Sequence, residues 1–297
     1  MPLRKTLKTI LPGLLMAIMC LTDTAAAEPK FNLSVTPTAA CQGEISLMTI
    51  TPTMQVKNIS YKVDRKSYDC FKLDDTDRYF GIIPFDLDTA PAKKEILMTA
   101  TDTSGNSIEH TAYISVIAKE YPIQRMSLPE GKVTLSPENL ARHKLEKKAL
   151  TAALSSTEQK KIWRTKFTQP HTGKITGKFG VRRILNDKPK SRHSGVDLRA
   201  PLGAPVAAIG DGVVVFTGDH FFTGNNIFID HGMNIISMYF HLSEILVQPG
   251  DSITGGQLIG KVGSTGRSTG PHLHWGVKIN GKRINPIKFI ELINRIK

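Results

Sequence analysis

Two short stretches decide how the chain is read: Pro271-His272-Leu273-His274-Trp275-Gly276 and, upstream of it, Arg192-His193-Ser194-Gly195-Val196-Asp197. Residues i and i+2 of a β-strand face one side, so His272 and His274, set between apolar Leu273 and Trp275, present both rings to one surface. One ring can bind a metal while the other stands beside a metal-bound water. His193 and Asp197 are four residues apart, a helical interval, yet Ser194-Gly195 and β-branched Val196 predict a loop entering a strand. Two imidazoles and a carboxylate match the open three-ligand set of catalytic zinc sites, which keeps a fourth position for water.

The wider motif carries a resemblance. The stretch Gly263-Ser264-Thr265-Gly266-Arg267-Ser268-Thr269-Gly270-Pro271-His272-Leu273-His274-Trp275-Gly276, following the HxxxD of His193 and Asp197, resembles the lysostaphin-like (M23) zinc endopeptidases that cut peptides of bacterial peptidoglycan. It runs from about Gly177 to Pro286, and several separated motifs agree in order and spacing. By position, the resemblance implies Zn²⁺ ligands at His193, Asp197 and His274. It implies catalytic histidines at His241, within Met238-Tyr239-Phe240-His241-Leu242, and at His272, with no member of the set replaced. A zinc ion so held lowers the pKa of bound water towards roughly 7 and polarises the scissile carbonyl. The chain has no HExxH helix to supply a glutamate base. His272 is therefore expected as general base and His241 as the group that orients or stabilises the tetrahedral oxyanion, two roles that can be exchanged. The same ligand types suit Fe(II) in an oxygenase, but export and the surrounding motifs weigh against that. The family includes cleavers of D-Ala to diaminopimelate cross-links and of glycine bridges. Some members have lost ligands and serve as wall-binding modules or activators of wall amidases. The intact set favours a hydrolase here and leaves the bond open.

Export is expected from the first residues. Arg4, Lys5 and Lys8 precede an apolar run from Ile10 to Leu21 and a small-residue site at Ala25-Ala26-Ala27, a signal peptide over 1–27. The run is too short for a membrane span, which needs roughly 20 residues, so no transmembrane segment is expected after cleavage. Localisation is read as periplasmic, secreted or cell-wall associated. Cys20 has a poor lipidation context and is lost with the signal. Cys41 and Cys70 remain, an even pair for which an exported protein favours a disulfide.

The formal net charge of +13 is unevenly placed. Lys+Arg against Asp+Glu is 10 and 13 for 28–120, 10 and 4 for 121–170, and 16 and 8 for 171–297. A basic exported half suits peptidoglycan peptides or another anionic envelope surface. Nucleic acid is excluded by the lack of an aromatic-basic platform or a recognised motif. Nothing in the residues fixes an oligomeric state.

The fold expected is mainly β. Over 28–120, alternating runs such as Phe31-Asn32-Leu33-Ser34-Val35 and Ile59-Ser60-Tyr61-Lys62-Val63 predict an immunoglobulin-like β-sandwich without the buried tryptophan of antibody domains. Over 121–170 a helical connector is expected. Ser136-Pro137-Glu138 opens a helix to about Leu154, and Ser155-Ser156-Thr157-Glu158 reads as a capping box for a second helix reaching Trp163. Over 171–297, short strands and glycine turns, with Asn280-Gly281 as a hairpin, predict an antiparallel sheet or folded barrel. The hairpin from Gln248 to Gly260 also looks like a biotin or lipoyl carrier, but no swinging lysine is present. His110, His143, His171, His220 and His231 lie outside the motifs and are taken as structural or exposed. The position of the sandwich and connector, residues 28–170, before the catalytic domain suggests that they cover the cleft and keep the enzyme latent.

Overall fold

A computed structural model describes residues 30–73, 76–156 and 160–296, so the expected signal peptide over 1–27 lies outside the described residues. Two β-sheets face each other between Phe31 and Ile117. One has the strand order Phe31–Thr36, Ile45–Pro52, Tyr79–Pro84, Phe71–Lys72, and the other Ala39–Cys41, Ser107–Ile117, Ala92–Asp102, Val56–Val63, Lys66–Asp69. Period-two alternation does the sorting. Ile59, Tyr61 and Val63 point inward with Ile96, Met98 and Ala100, meeting Met48, Ile50 and Ile83 of the facing sheet in one core. This is the expected sandwich.

The intervening positions of the first sheet are also buried. Ile45, Leu47, Phe71, Phe80 and Ile82 face away from the sandwich core and join a second, larger core built by the C-terminal half. Polar links reinforce the contact. Arg283 pairs with Asp86 and Asp88, the Arg192 guanidinium donates to the Leu87 carbonyl at 2.7 Å, and the Asn285 N–H donates to the Gly43 carbonyl at 2.7 Å.

The connecting segment is only partly helical. Pro137–Ala153 is an α-helix, with Pro137 in its first turn and the Ser136 hydroxyl accepting from the Asn139 N–H at 3.2 Å, as expected of that N-cap. Ile123–Met126 is instead a strand, paired in parallel with Arg182–Leu185. The second helix is a correction: a 3₁₀ turn covers Leu154–Ser156, and residues 160–163 are irregular. Trp163 is buried, edge-on to Phe71 at 5.7 Å and beside Phe167 at 5.5 Å. The Arg164 and Thr165 N–H groups donate to the Asp211 carboxylate. A helix would claim those N–H groups for its own carbonyls, so aromatic burial and a side-chain acceptor override the local capping pattern.

The C-terminal half is one antiparallel sheet in the order Ile175–Gly177, Gly195–Arg199, His272–Ile279, Ile235–Ile245, Gly224–Asp230, Gly212–His220, Ser252–Ile253. Pro205–Ala207 and Leu258–Val262 pair alongside it, and Asn280 and Gly281, both at positive φ, make the expected turn into Lys282–Ile284. Ile235, Val277, Ile279 and Trp275 fill its interior.

The expected disulfide is absent. Cys41 and Cys70 are both free. Cys41 ends the strand at one edge of the five-stranded sheet and Cys70 follows the strand at the other. Four inter-strand steps of about 4.8 Å separate those edges, well beyond the roughly 7 Å Cα limit for a bridge.

Candidate metal centre and cleft

Strand pairing assembles the site. Gly195–Arg199 runs antiparallel to His272–Ile279 with Asp197 directly opposite His274, so the two side chains share a face. His193 lies in the short connection that enters the Gly195–Arg199 strand, as the sequence predicts. On the other flank Phe240 is opposite His274, and its ring stacks on the imidazole at a centroid distance of 5.1 Å and an angle of 5°. The next residue, His241, has φ +65°. There the Ile235–Ile245 strand carries one residue more than its Gly224–Asp230 partner, a bulge that aims the histidine at the same place.

The donor atoms converge closely. His193 Nε2 stands 2.9 Å from Asp197 Oδ1 and 2.9 Å from His274 Nδ1, and His274 Nδ1 is 2.8 Å from Asp197 Oδ1. All three residues are buried. His193 Nδ1–H donates to the Lys178 carbonyl at 2.8 Å, which leaves Nε2 of the neutral ring as a lone pair aimed at the carboxylate. Lone pairs meeting a carboxylate oxygen in a buried site require a cation between them, whether a proton or a metal. The donor set of two imidazoles and one carboxylate therefore fits a divalent transition ion.

Supporting groups fix each donor. The Arg183 guanidinium donates to Asp197 Oδ2 at 2.8 Å, leaving Oδ1 to the cluster. Gly177 and Gly195 allow the close packing: a Cβ on Gly177 would fall 2.1 Å from Asp197 Oδ2, and one on Gly195 would fall 2.7 Å from His274 Nε2. Burial by itself would raise the Asp197 carboxyl, but the bonds from His193 and His274 and their charges hold it far below the usual carboxylate range. His274 is lowered to about 4 by burial, against the opposing pull of Asp197. His241 is lowered to about 3 by burial and by the charges of His274 and His272.

Beside the cluster, His241 and His272 face each other with ring centroids 4.8 Å apart. His241 Nδ1–H donates to the Thr265 carbonyl and His272 Nδ1–H to that of Gly270, both at 2.8 Å. All five sequence-predicted residues thus line one open cleft of ≈480 Å³. Gln124, Met126 and Leu128 of the connecting segment also line it, whereas no described residue of the sandwich does. His231 is a core histidine, held between the Asp211 carbonyl and the Ser237 hydroxyl. Arg183 and Arg267 also line the cleft: no motif or spacing in the sequence ties Arg183 to the cluster, and Arg267 lies within the Gly263–Gly276 stretch.

Residues 191–286 match the model of peptidase family M23. This part of the chain is an M23 peptidase domain. The chain is 43% identical over 116 residues to the peptidoglycan DD-endopeptidase ShyA of Vibrio cholerae, covering 39% of this chain and 27% of that protein. It is 47% identical over 114 residues to the DD-carboxypeptidase/endopeptidase Mpg of Neisseria meningitidis, covering 38% of this chain and 26% of that one. The chain thus spans about a quarter of the length of these curated relatives. A crystal structure of a putative peptidase M23 from Pseudomonas aeruginosa superposes with a TM-score of 0.63 at 28% identity, covering 84% of this chain and 94% of that one. That likeness extends beyond the M23 domain.

Proposed function

We propose that the protein is a zinc-dependent endopeptidase that hydrolyses peptide cross-links or stems of bacterial peptidoglycan after export to the periplasm or cell wall. The carrying observation is the convergence of His193, Asp197 and His274 on one point beside two further imidazoles in an open cleft. The names of the relatives support the substrate, and the basic character of residues 171–297 suits an anionic wall polymer.

His193 Nε2, Asp197 Oδ1 and His274 Nδ1 would hold the zinc ion. When bound, it supplies a Lewis acid that makes water nucleophilic near neutral pH and polarises a carbonyl. Side chains of the protein do the rest. His272 Nε2 lies 3.8 Å from Asp197 Oδ1, so a proton gained there faces a carboxylate, which suits the general base. His241 is kept neutral by burial, and its Nδ1–H is committed to Thr265, so Nε2 can only accept. Between the two roles expected for His241, this favours orienting the attacking water over donating to an oxyanion.

The test is incubation of the purified protein with peptidoglycan, with and without chelator, followed by mass spectrometry of the released muropeptides. Chelator-sensitive release, restored by Zn²⁺, is the expected result. Absence of any chelator-sensitive product would remove the hydrolase reading.

A further inference from the structure

The cleft is lined by four arginines, Arg183, Arg192, Arg199 and Arg267, against a single carboxylate, that of Asp197. Two of the four are committed. Arg183 bonds Asp197, and Arg192 donates to the Leu87 carbonyl beside Asp88. The guanidiniums of Arg199 and Arg267 have no acceptor among the described residues.

Arg267 is the better placed of the pair. It sits on the Gly263–Gly270 loop that leads into His272, and its N–H donates to the Phe222 carbonyl at 3.0 Å. Its guanidinium lies over the Phe222 ring, 4.3 Å from the centroid. Burial, and after it the charge of Arg183, pull that guanidinium below the ordinary arginine range. A cation held on an aromatic face, partly stripped of water and next to a like charge, is unsatisfied until an anion arrives. Arg199, by contrast, is exposed to solvent.

The geometry points to Arg267 as a specificity-determining residue that receives a free carboxylate of the peptide substrate close to the scissile bond. This deepens the endopeptidase reading and rests on it. A planar fork matches a carboxylate bidentately, and a metal ion in the cleft would add positive charge to the same field. A glycine bridge carries no carboxylate beside its scissile bonds. A D-alanyl cross-link to diaminopimelate keeps one on the carbon bonded to the leaving nitrogen. The cleft thus favours the second substrate class.

The test uses two synthetic D-alanyl–diaminopimelate peptides, identical except that the carboxyl beside the scissile nitrogen is free in one and a carboxamide in the other. For the zinc-loaded wild-type protein, kcat/KM for the acid should exceed that for the amide by about 10- to 100-fold, the range of a charge-assisted hydrogen bond. Arg267→Gln should bring the ratio close to one by slowing cleavage of the acid, while Arg267→Lys, which keeps charge without the fork, should fall between. Thermal melting and zinc content accompany each variant. Equal wild-type rates on both peptides, or an unchanged ratio in Arg267→Gln, would overturn the assignment. Affinities for the same peptides are measured alongside. Preferential binding of the acid without cleavage would uphold the assignment and sink the hydrolase reading, whereas cleavage without preference would do the reverse.

Discussion

Asp197 is gripped on both oxygens, by Arg183 on one and by the two imidazoles on the other, and this asymmetry organises the site. His274→Ala should abolish metal binding together with activity. His241→Ala and His272→Ala should keep zinc and lose turnover by about 10²- to 10⁴-fold, as expected for lost acid-base groups. Elemental analysis beside kinetics makes the comparison, and metal loss in both of the latter would refute the division of roles. Gly195→Ala offers a subtler probe, because its methyl group would lie 2.3 Å from the Trp275 carbonyl and press on the His274 ring. Zinc affinity, measured by chelator competition, should fall by about 10- to 100-fold, as when other supports of a ligand are disturbed. His272 and His274 were legible in the sequence because an i, i+2 spacing on one strand carries them, whereas His241 and the grouping of His193 and Asp197 with His274 came from the family resemblance. Arg183 was not legible, since its relation to Asp197 depends on how far the Arg182–Leu185 strand lies from its neighbours, which no local spacing records.

Among the elements, those with a strong local pattern formed as read. The His272–Ile279 strand alternates cleanly, and Ser136-Pro137 starts its helix. The bulge at His241 left no trace, because an inserted residue is defined only against the partner strand. The helix expected up to Trp163 failed because the tryptophan is worth more in the core than in a turn of helix. Trp163→Ala should cost about 3–5 kcal/mol, the usual range for removing a buried aromatic, read from the denaturant midpoint. The Pro137–Ala153 helix has a less obvious task. Glu146 on it accepts from the Phe221 N–H at 2.9 Å, and His143 meets the Phe222 ring edge-on at 4.8 Å, so the helix pins the loop on which the Arg267 guanidinium rests. Glu146→Ala should speed amide hydrogen exchange at Phe221–Thr223 and raise KM while leaving zinc content unchanged. Unaltered exchange at these amides would dissociate the helix from the cleft.

At the scale of the whole molecule, strand alternation announced both β-rich halves but not that one interior serves them. Ile45 and Leu47 on one strand and Phe80 and Ile82 on its neighbour share the sheet face turned away from the sandwich core, and only the assembled protein puts Trp163, Phe179 and Phe289 in the core with them. Sequence logic paired Cys41 with Cys70 from compartment alone, and strand order separates them. The joint between the halves has its own pH signature. Burial would raise the Asp86 carboxyl, yet hydrogen bonds and charge from Arg283 hold it below its ordinary value. A depressed carboxyl stabilises the fold above the unfolded value near 3.9 and loses that contribution as pH falls through the folded one. Asp86→Asn should therefore lower the melting temperature at pH 7, and the difference should shrink steadily as the solution is acidified below about 4. A difference that stayed constant with pH would mean that packing, not charge, carries the joint.

The doubly covered sheet has a practical bearing on recombination. A graft that joined this catalytic half to a foreign leader domain would leave a bare oily face where Ile45, Leu47 and Ile82 now rest, and the chimera would aggregate unless those side chains travelled with it. Shuffling breakpoints therefore belong outside the span from Phe31 to Ile293.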